Sequence, residues 1–256
     1  MPTQEAGLSA GDRRAKIKRD LHRSGFVSVK GLTSQLGVSD MTVRRDLRRL
    51  EAEGELRIVH GGASLPVGAD YSQRGQSEPD AKTRIGRFAA SLVSNDATVL
   101  MDAGTTVAAV AQAFAEQFSG YVITHSVPVI EIMLSRKYPQ VYCLGGDLRS
   151  ESRAMIGPTT VENLEKVNTQ FLMLGAAVTA QGLFVDKDLE RATKAALIKA
   201  SQRVVLVVDH TKFTRLSPVL LAPLDVIDDL VTDAEPPKDI VERLRQLDVR
   251  IHIVED

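Results

Sequence analysis

The sequence predicts an α/β chain in two parts: a small N-terminal unit of three helices and a hairpin, then a larger unit in which helices alternate with strands. Three observations predict it. A length of 256 residues exceeds that of an ordinary single domain. Residues 1–65 show helical apolar spacing punctuated by glycines and end on a glycine-centred hairpin pattern. Beyond residue 80, short apolar runs recur between helical stretches.

Within the first part, Ile17 and Leu21 share a face of a helix over 10–24 that Gly25 is placed to end. Ser28 is a candidate N-cap for a second helix of about two turns carrying Leu32 and Leu36. The turn Gly37-Val38-Ser39 follows. Ser39 can cap a third helix, Asp40 suits the positive end of its dipole, and Val43, Leu47 and Leu50 repeat at helical spacing until Gly54. The run 56–59 alternates like a strand, His60-Gly61-Gly62 supplies a tight turn, and 63–65 is the return strand. Residues 66–79, with Gly68, Ser72, Gly75 and Ser77 and little apolar periodicity, read as a linker. In the second part, 80–256, helical stretches at 82–94 and 107–118 alternate with apolar runs at 97–101, 121–124, 141–144, 171–174 and 204–208. That alternation predicts a mainly parallel sheet covered by helices.

Composition narrows the function. With 43% hydrophobic and 25% charged residues and a net charge of -1, the chain has the makeup of a soluble globular protein. The charge is unevenly placed: residues 1–65 carry 12 Lys and Arg against 8 Asp and Glu, and the remainder 20 against 25. A basic small part beside an acidic large part points to a polyanionic partner for the former. Cys143, the lone cysteine, sits in an apolar run and reads as a small buried hydrophobe in a reducing compartment. No apolar run reaches membrane-spanning length, and Met1 to Asp20 is polar and charged, so a cytoplasmic location is expected. The histidines are scattered, and neither a metal site nor a cofactor is expected.

On the third helix, Val43, Leu47 and Leu50 occupy one side while Met41, Thr42, Arg44, Arg45, Arg48 and Arg49 occupy the rest. An arginine-rich face on a capped helix after a tight turn has the chemistry of a helix-turn-helix reading head, with Arg57 and His60 of the hairpin reaching toward backbone or minor groove. A solvated charged face is the plainer reading of four arginines alone. The ordered set of capped helix, glycine turn, arginine helix and glycine-tipped hairpin favours double-stranded DNA.

Three runs carry a resemblance: 25–29, Leu36-Gly37-Val38-Ser39-Asp40-Met41-Thr42-Val43-Arg44-Arg45-Asp46-Leu47, and Arg57-Ile58-Val59-His60-Gly61-Gly62-Ala63. Together they closely resemble the DeoR-type family of bacterial regulators. The resemblance implies a winged helix-turn-helix that binds an operator through Ser39, Thr42, Arg44, Arg45 and Arg48, with a wing at Arg57 and His60.

In the larger part, the run 97–101 leads into Asp102-Ala103-Gly104-Thr105-Thr106 and then a helix, which places hydroxyls and free amides at a helix N-terminus, where anions bind. Gly104 admits a ligand to the backbone, Thr105 and Thr106 offer hydroxyls, and Asp102 binds a sugar hydroxyl or braces the loop. A simple N-cap is the alternative. Other strand ends gather at the same edge of a parallel sheet: Thr124-His125-Ser126, then Gly145 and Gly146 with Arg149, then Gly175-Ala176-Ala177. Gly157-Pro158, Gly182-Leu183, Glu190 with Lys194, and Asp209 with Lys212 extend the resemblance to the family's sensor domain, which is similar in fold to ribose-5-phosphate isomerase. It implies that Asp102, Gly104, Thr105 and Thr106 hold an effector phosphate and that Asp186, Glu190, Lys194 and Lys212 line its sugar end. Two positions depart from the family: His125 stands where members commonly carry Asn, and Ala177 where many carry Asp. Taken alone, Glu190 and Lys194 also fit a surface ion pair four residues apart.

These readings converge on a repressor of carbohydrate genes, binding its operator as a homodimer or homotetramer and releasing it when a small anionic metabolite, a sugar phosphate, binds. A sugar-phosphate isomerase with a DNA-binding extension and Glu190 as base is the rival from another class. A helix-turn-helix used for protein contacts is a third reading, against which the arginine face stands.

Overall fold

The computed structural model describes residues 8–24, 26–64, 71–137, 139–215 and 217–255. The chain divides into units of residues 1–78 and 79–256. Gly25, the proposed end of the first helix, and Leu65, the proposed end of the hairpin, lie outside the described residues.

In the first unit, α1 (Ala10–Ser24), α2 (Val29–Leu36) and α3 (Asp40–Ala52) surround a core of Ile17, Leu21, Leu32, Leu36, Val43, Leu47 and Leu50. Both proposed caps form: Ser28 Oγ accepts from Gly31 N, and Ser39 Oγ from Thr42 N. Gly37 closes α2 in the left-handed conformation that a glycine C-cap supplies. The wing has a strand the sequence reading lacked. Besides β2 (Arg57–Val59) and β3 (Gly62–Ser64), β1 (Phe26–Ser28) pairs with β3, giving the antiparallel order β1-β3-β2. This explains the glycine pair at the tip. Gly61 turns at φ +77°, while a Cβ on Gly62 would lie 2.1 Å from the carbonyl oxygen of Val27. Part of the stretch read as linker is helical: α4 (Tyr71–Gln76) packs on α1, and Arg74 lies over the Tyr71 ring at 6.0 Å. A helix this short with no buried residue has no apolar stripe by which to be recognised.

The second unit opens with α5 (Pro79–Ser91), β4 (Thr98–Met101), α6 (Thr105–Ala113), β5 (Tyr121–Thr124), α7 (Val127–Leu134) and β6 (Gln140–Cys143). The hairpin β7 (Asp147–Arg149) and β8 (Ala154–Ile156) follows, then α8 (Pro158–Leu164), β9 (Thr169–Leu174), β10 (Ala177–Thr179), β11 (Gly182–Val185) and α9 (Asp188–Lys199). The chain continues through β12 (Ser201–Val207), β13 (Val219–Ala222), β14 (Asp229–Thr232), α10 (Lys238–Gln246) and β15 (Arg250–Ile253). Seven strands form a parallel sheet in the order β15-β14-β12-β9-β4-β5-β6. Its faces bury different sets: Leu100, Leu172, Leu206 and Leu230 on one, Val99, Met101, Met173, Val205 and Val231 on the other. Burial on both sides is why these strands read as continuous apolar runs. A separate antiparallel sheet, β10-β11-β13, is not part of the predicted alternation.

Three readings are corrected. The helix expected at 107–118 begins at Thr105, because Gly104 rather than a threonine is its N-cap, and ends at Ala113, where Phe114 turns to a non-helical ψ of 142°. The helix expected at 82–94 runs Pro79–Ser91, Pro79 being tolerated in a first turn whose amides have no helical partner. Cys143 is exposed, since β6 is an edge strand, and its thiol lies 3.7 Å from Met155 Sδ.

Candidate functional site

The head. Helix α3 presents Arg44, Arg45, Arg48 and Arg49 to solvent while Val43, Leu47 and Leu50 are buried. The four arginines differ in their partners. Arg44 pairs with Asp40 and Arg49 with Glu53, each four residues apart, whereas Arg45 and Arg48 have no partner among the described residues. Thr42 Oγ1 lies 2.9 Å from the capping Ser39 Oγ, so these two expected contacts share one hydroxyl pair. On the wing, His60 is exposed at the turn and Arg57 is half-buried on β2. One residue that sequence reasoning did not single out organises the head. Asp46 is buried on the apolar side of α3, accepts from Arg13 Nε at 2.9 Å and stands 3.7 Å from Arg14, tying α1 to α3. Its spacing from Val43 is the signal: an acid on the core stripe of a helix needs a buried cationic partner.

The larger unit. Strand β4 ends in Asp102, which is fully buried. Its carboxylate accepts from Lys194 Nζ and from Gly175 N at 3.1 Å, while His125 Nε2 stands 3.3 Å from the other oxygen. Lys194 also donates to Gly175 O at 2.7 Å. Burial pushes the Asp102 carboxyl up, but the Lys194 ammonium and the His125 ring more than offset this and hold it well below the ordinary carboxylate range. Asp102 is therefore an ionised brace joining β4, β5, the end of β9 and α9. Lys194 turns inward, so the surface ion pair with Glu190 does not form; the half-buried Glu190 carboxylate has no partner among the described residues. His125 is buried with both ring nitrogens facing acceptors, Met155 O at 2.8 Å and Asp102. A neutral ring donates to one of them and a doubly protonated ring to both.

After the brace, Gly104 caps α6 through its backbone alone, with no side-chain bond. The hydroxyls of half-buried Thr105 and buried Thr106 make no hydrogen bond to other described residues, and the first-turn amides have no helical acceptor. The N-cap alternative for these threonines thus falls away. Hydroxyls and amides that no other described residue engages at one helix start suit an anion.

Other predicted residues are engaged in the scaffold. Thr124 donates to Met101 O and accepts from Ser126 N, and Ser126 caps α7. Gly145 and Gly146 form a left-handed turn held by Thr160, whose hydroxyl donates to Gly145 O. Arg149 lies exposed on β7. Asp186 accepts from Arg215 and from Ser217 Oγ, a pairing across about thirty positions that no local pattern announces. Lys212 lies half-buried on a 3-10 helix, His210–Phe213, capped by Asp209. Among the described residues no group of three or more metal-ligating side chains assembles.

A winged reading head whose α3 exposes two arginines unpaired among the described residues, carried on the same chain as a larger α/β unit, has the make-up of a DNA-binding regulator with a sensor. Family models agree for both parts: the DeoR-like helix-turn-helix domain matches residues 13–67 and the DeoR C-terminal sensor domain residues 77–234. The chain belongs to the DeoR family of transcriptional regulators. It is similar to the glycerol-3-phosphate regulon repressor of Escherichia coli (strain K12), 31% identical over 236 residues that span 90% of this chain and 94% of that protein. The Haemophilus influenzae protein of the same name is 34% identical over 239 residues, 91% of this chain and 93% of that one. The transcriptional repressor AccR of Agrobacterium fabrum is 32% identical over 238 residues, 88% and 90%. Among solved structures, ribose 5-phosphate isomerase A from Methanocaldococcus jannaschii aligns at a TM-score of 0.38 and 16% identity over 53% of this chain and 55% of that one.

Proposed function

We propose that this protein is a cytoplasmic repressor of carbohydrate-metabolism genes whose grip on its operator is released by a small phosphate ester seated at the start of α6. The observation that carries the reading is the pair of threonine hydroxyls that no other described residue engages at that helix start, next to the Asp102–Lys194 brace. The repressor relatives support the direction of regulation, and two of them, named for the glycerol-3-phosphate regulon, support a three-carbon phosphate as the first ligand to try. Thr105, Thr106, Gly104 and the adjoining amides hold the phosphate, while Glu190 and Lys194 face the carbon end. Operator binding by Ser39, Thr42, Arg44, Arg45, Arg48 and the wing residues Arg57 and His60 occurs as a symmetric dimer or tetramer on paired half-sites. Release follows if the ester binds the DNA-free state more tightly than the DNA-bound one.

The test is a thermal-shift series with glycerol 3-phosphate, ribose 5-phosphate, inorganic phosphate, glycerol and ribose, run on the wild type and on Thr105→Ala/Thr106→Ala. A phosphate ester present at a hundred times its Kd stabilises the folded state by about 2.7 kcal/mol. The expected result is a rise in midpoint that vanishes in the double variant, with the same compound releasing operator DNA. A rise with free glycerol or ribose and none with their phosphates would overturn the assignment. We further infer that the protein is not an isomerase. Lys194 is committed to Asp102, and Ala177 brings no carboxylate. Turnover of ribose 5-phosphate that Glu190→Gln abolishes would reverse that inference.

A further inference from the structure

Asp40 opens the reading helix, and both of its carboxylate oxygens face the same guanidinium: Arg44 Nε is 2.5 Å from Oδ1 and Nη2 is 3.4 Å from Oδ2. Both side chains are about half exposed, so the pair holds no core together. The arrangement is side-on. It occupies Nε–H and one Nη2–H of the five guanidinium donors and leaves the Nη1–Nη2 edge of the fork open.

A carboxylate in this place is a liability if Arg44 serves only to attract phosphates, because it repels the polyanion and cancels the charge beside it. Arg45 and Arg48, exposed on the same helix and without partners among the described residues, already present unneutralised charge. A carboxylate is useful if Arg44 must point one way. Guanine offers two acceptors, N7 and O6, side by side in the major groove, and the open edge of an arginine matches them with two parallel bonds. In a helix-turn-helix, residues near the start of the second helix are the ones that meet base edges, and Arg44 is in the second turn of α3.

We propose that Asp40 is a specificity-determining positioning residue: it clamps the side of the Arg44 guanidinium so that the remaining edge reads a guanine in each operator half-site. The proposal rests on α3 being the helix that enters the groove.

The experiment selects bound sequences from a pool of randomised duplex DNA with the full-length protein as wild type, Asp40→Asn, Arg44→Ala and Arg44→Lys. The wild type is expected to enrich a guanine at one position of each half-site. Arg44→Ala should cut that preference about tenfold, as loss of a bidentate base contact does. Arg44→Lys should lose it too while keeping the wild-type salt slope, since charge remains and the fork is gone. Asp40→Asn should cut it several-fold at the same position without weakening binding to unrelated DNA. An unaltered preference in Asp40→Asn, with tighter binding to all sequences, would make the pair an ordinary surface ion pair and overturn the proposal. So would a uniform loss of affinity in Arg44→Ala with a salt slope lower by about one, which marks a phosphate contact. Absence of salt-dependent DNA binding by the wild type would overturn the role of α3 itself, and the clamp with it.

Discussion

The head and the sensor use ionisable side chains in opposite ways. In the head, Arg45 and Arg48 stand exposed and unpaired among the described residues, and the buried Arg13–Asp46 pair serves to dock one helix on another. In the sensor, charges are drawn inward and matched: Asp102 with Lys194 and His125, Asp186 with Arg215 and Ser217, Asp229 with Arg203, Arg250 and His252. The contrast follows from the ligands. A polyanion is met by a surface and attracted by charge left open to water. A small metabolite needs donors held at set positions, and buried, mutually satisfied charges hold a backbone in place.

That contrast breaks most visibly at the two buried aspartates. Asp102→Ala leaves Lys194 buried beside an unpaired Gly175 amide and should destabilise the sensor by about 3–5 kcal/mol, the usual cost of stranding a buried charge. Calorimetry should show the sensor transition fall. Asp46→Ala should cost the head a similar amount and abolish DNA binding while sparing the ligand-induced thermal shift. Loss of both functions in either variant would show that the units are not separable in this way.

Acid should find the sensor's weakness next. Burial raises the Asp229 and Asp233 carboxyls, but hydrogen bonds from Arg203 and His252 to the first, and from His210 to the second, leave both lowered, as Asp102 is. A carboxyl lowered in the folded state contributes stability that is complete above its unfolded value of about 3.9 and is lost as pH falls through the folded value. The sensor's melting point should therefore hold down to about pH 4 and drop steeply below it. A decline beginning near neutrality would contradict this.

Smaller effects sharpen the picture of the head. Arg45→Ala and Arg48→Ala should each weaken binding evenly across DNA sequences and lower the salt slope by about one. A change in base preference instead would move that residue from phosphate to base contact. Ser39→Ala removes the α3 cap and should cost about 1 kcal/mol, read as a shift in the denaturant midpoint of the head.

Much of the head was legible because its signals are local. Caps at Ser28 and Ser39, the left-handed Gly37, the apolar stripe of α3 and the glycine tip of the wing each act within a few residues. Strand β1 escaped notice because three residues carry no period, and its place is set by pairing with β3. Five of the seven strands of the sensor's parallel sheet were legible from their apolar runs, whereas β14 and β15 were not among those runs. The loop from Asp102 to Thr106 was legible too. What the side chains of that loop do was not. Its brace joins Asp102 to residues 73 and 92 positions away, and the same long reach turns Lys194 away from Glu190.

The sequence alone determined the three helices and hairpin of the head, the alternation of helices and apolar strands in the sensor, the basic face of α3 and the threonines that follow Asp102, because propensity, capping and periodicity act over one or two turns of chain. Only the tertiary structure decided which charges are free and which are locked: Arg45 open while Arg44 is clamped, Lys194 inward, Thr124 and Ser126 in the scaffold, Thr105 and Thr106 unengaged. Partnership of a polar group depends on which distant strand or helix the fold brings within about 3 Å of it, and spacing along the chain does not record that distance.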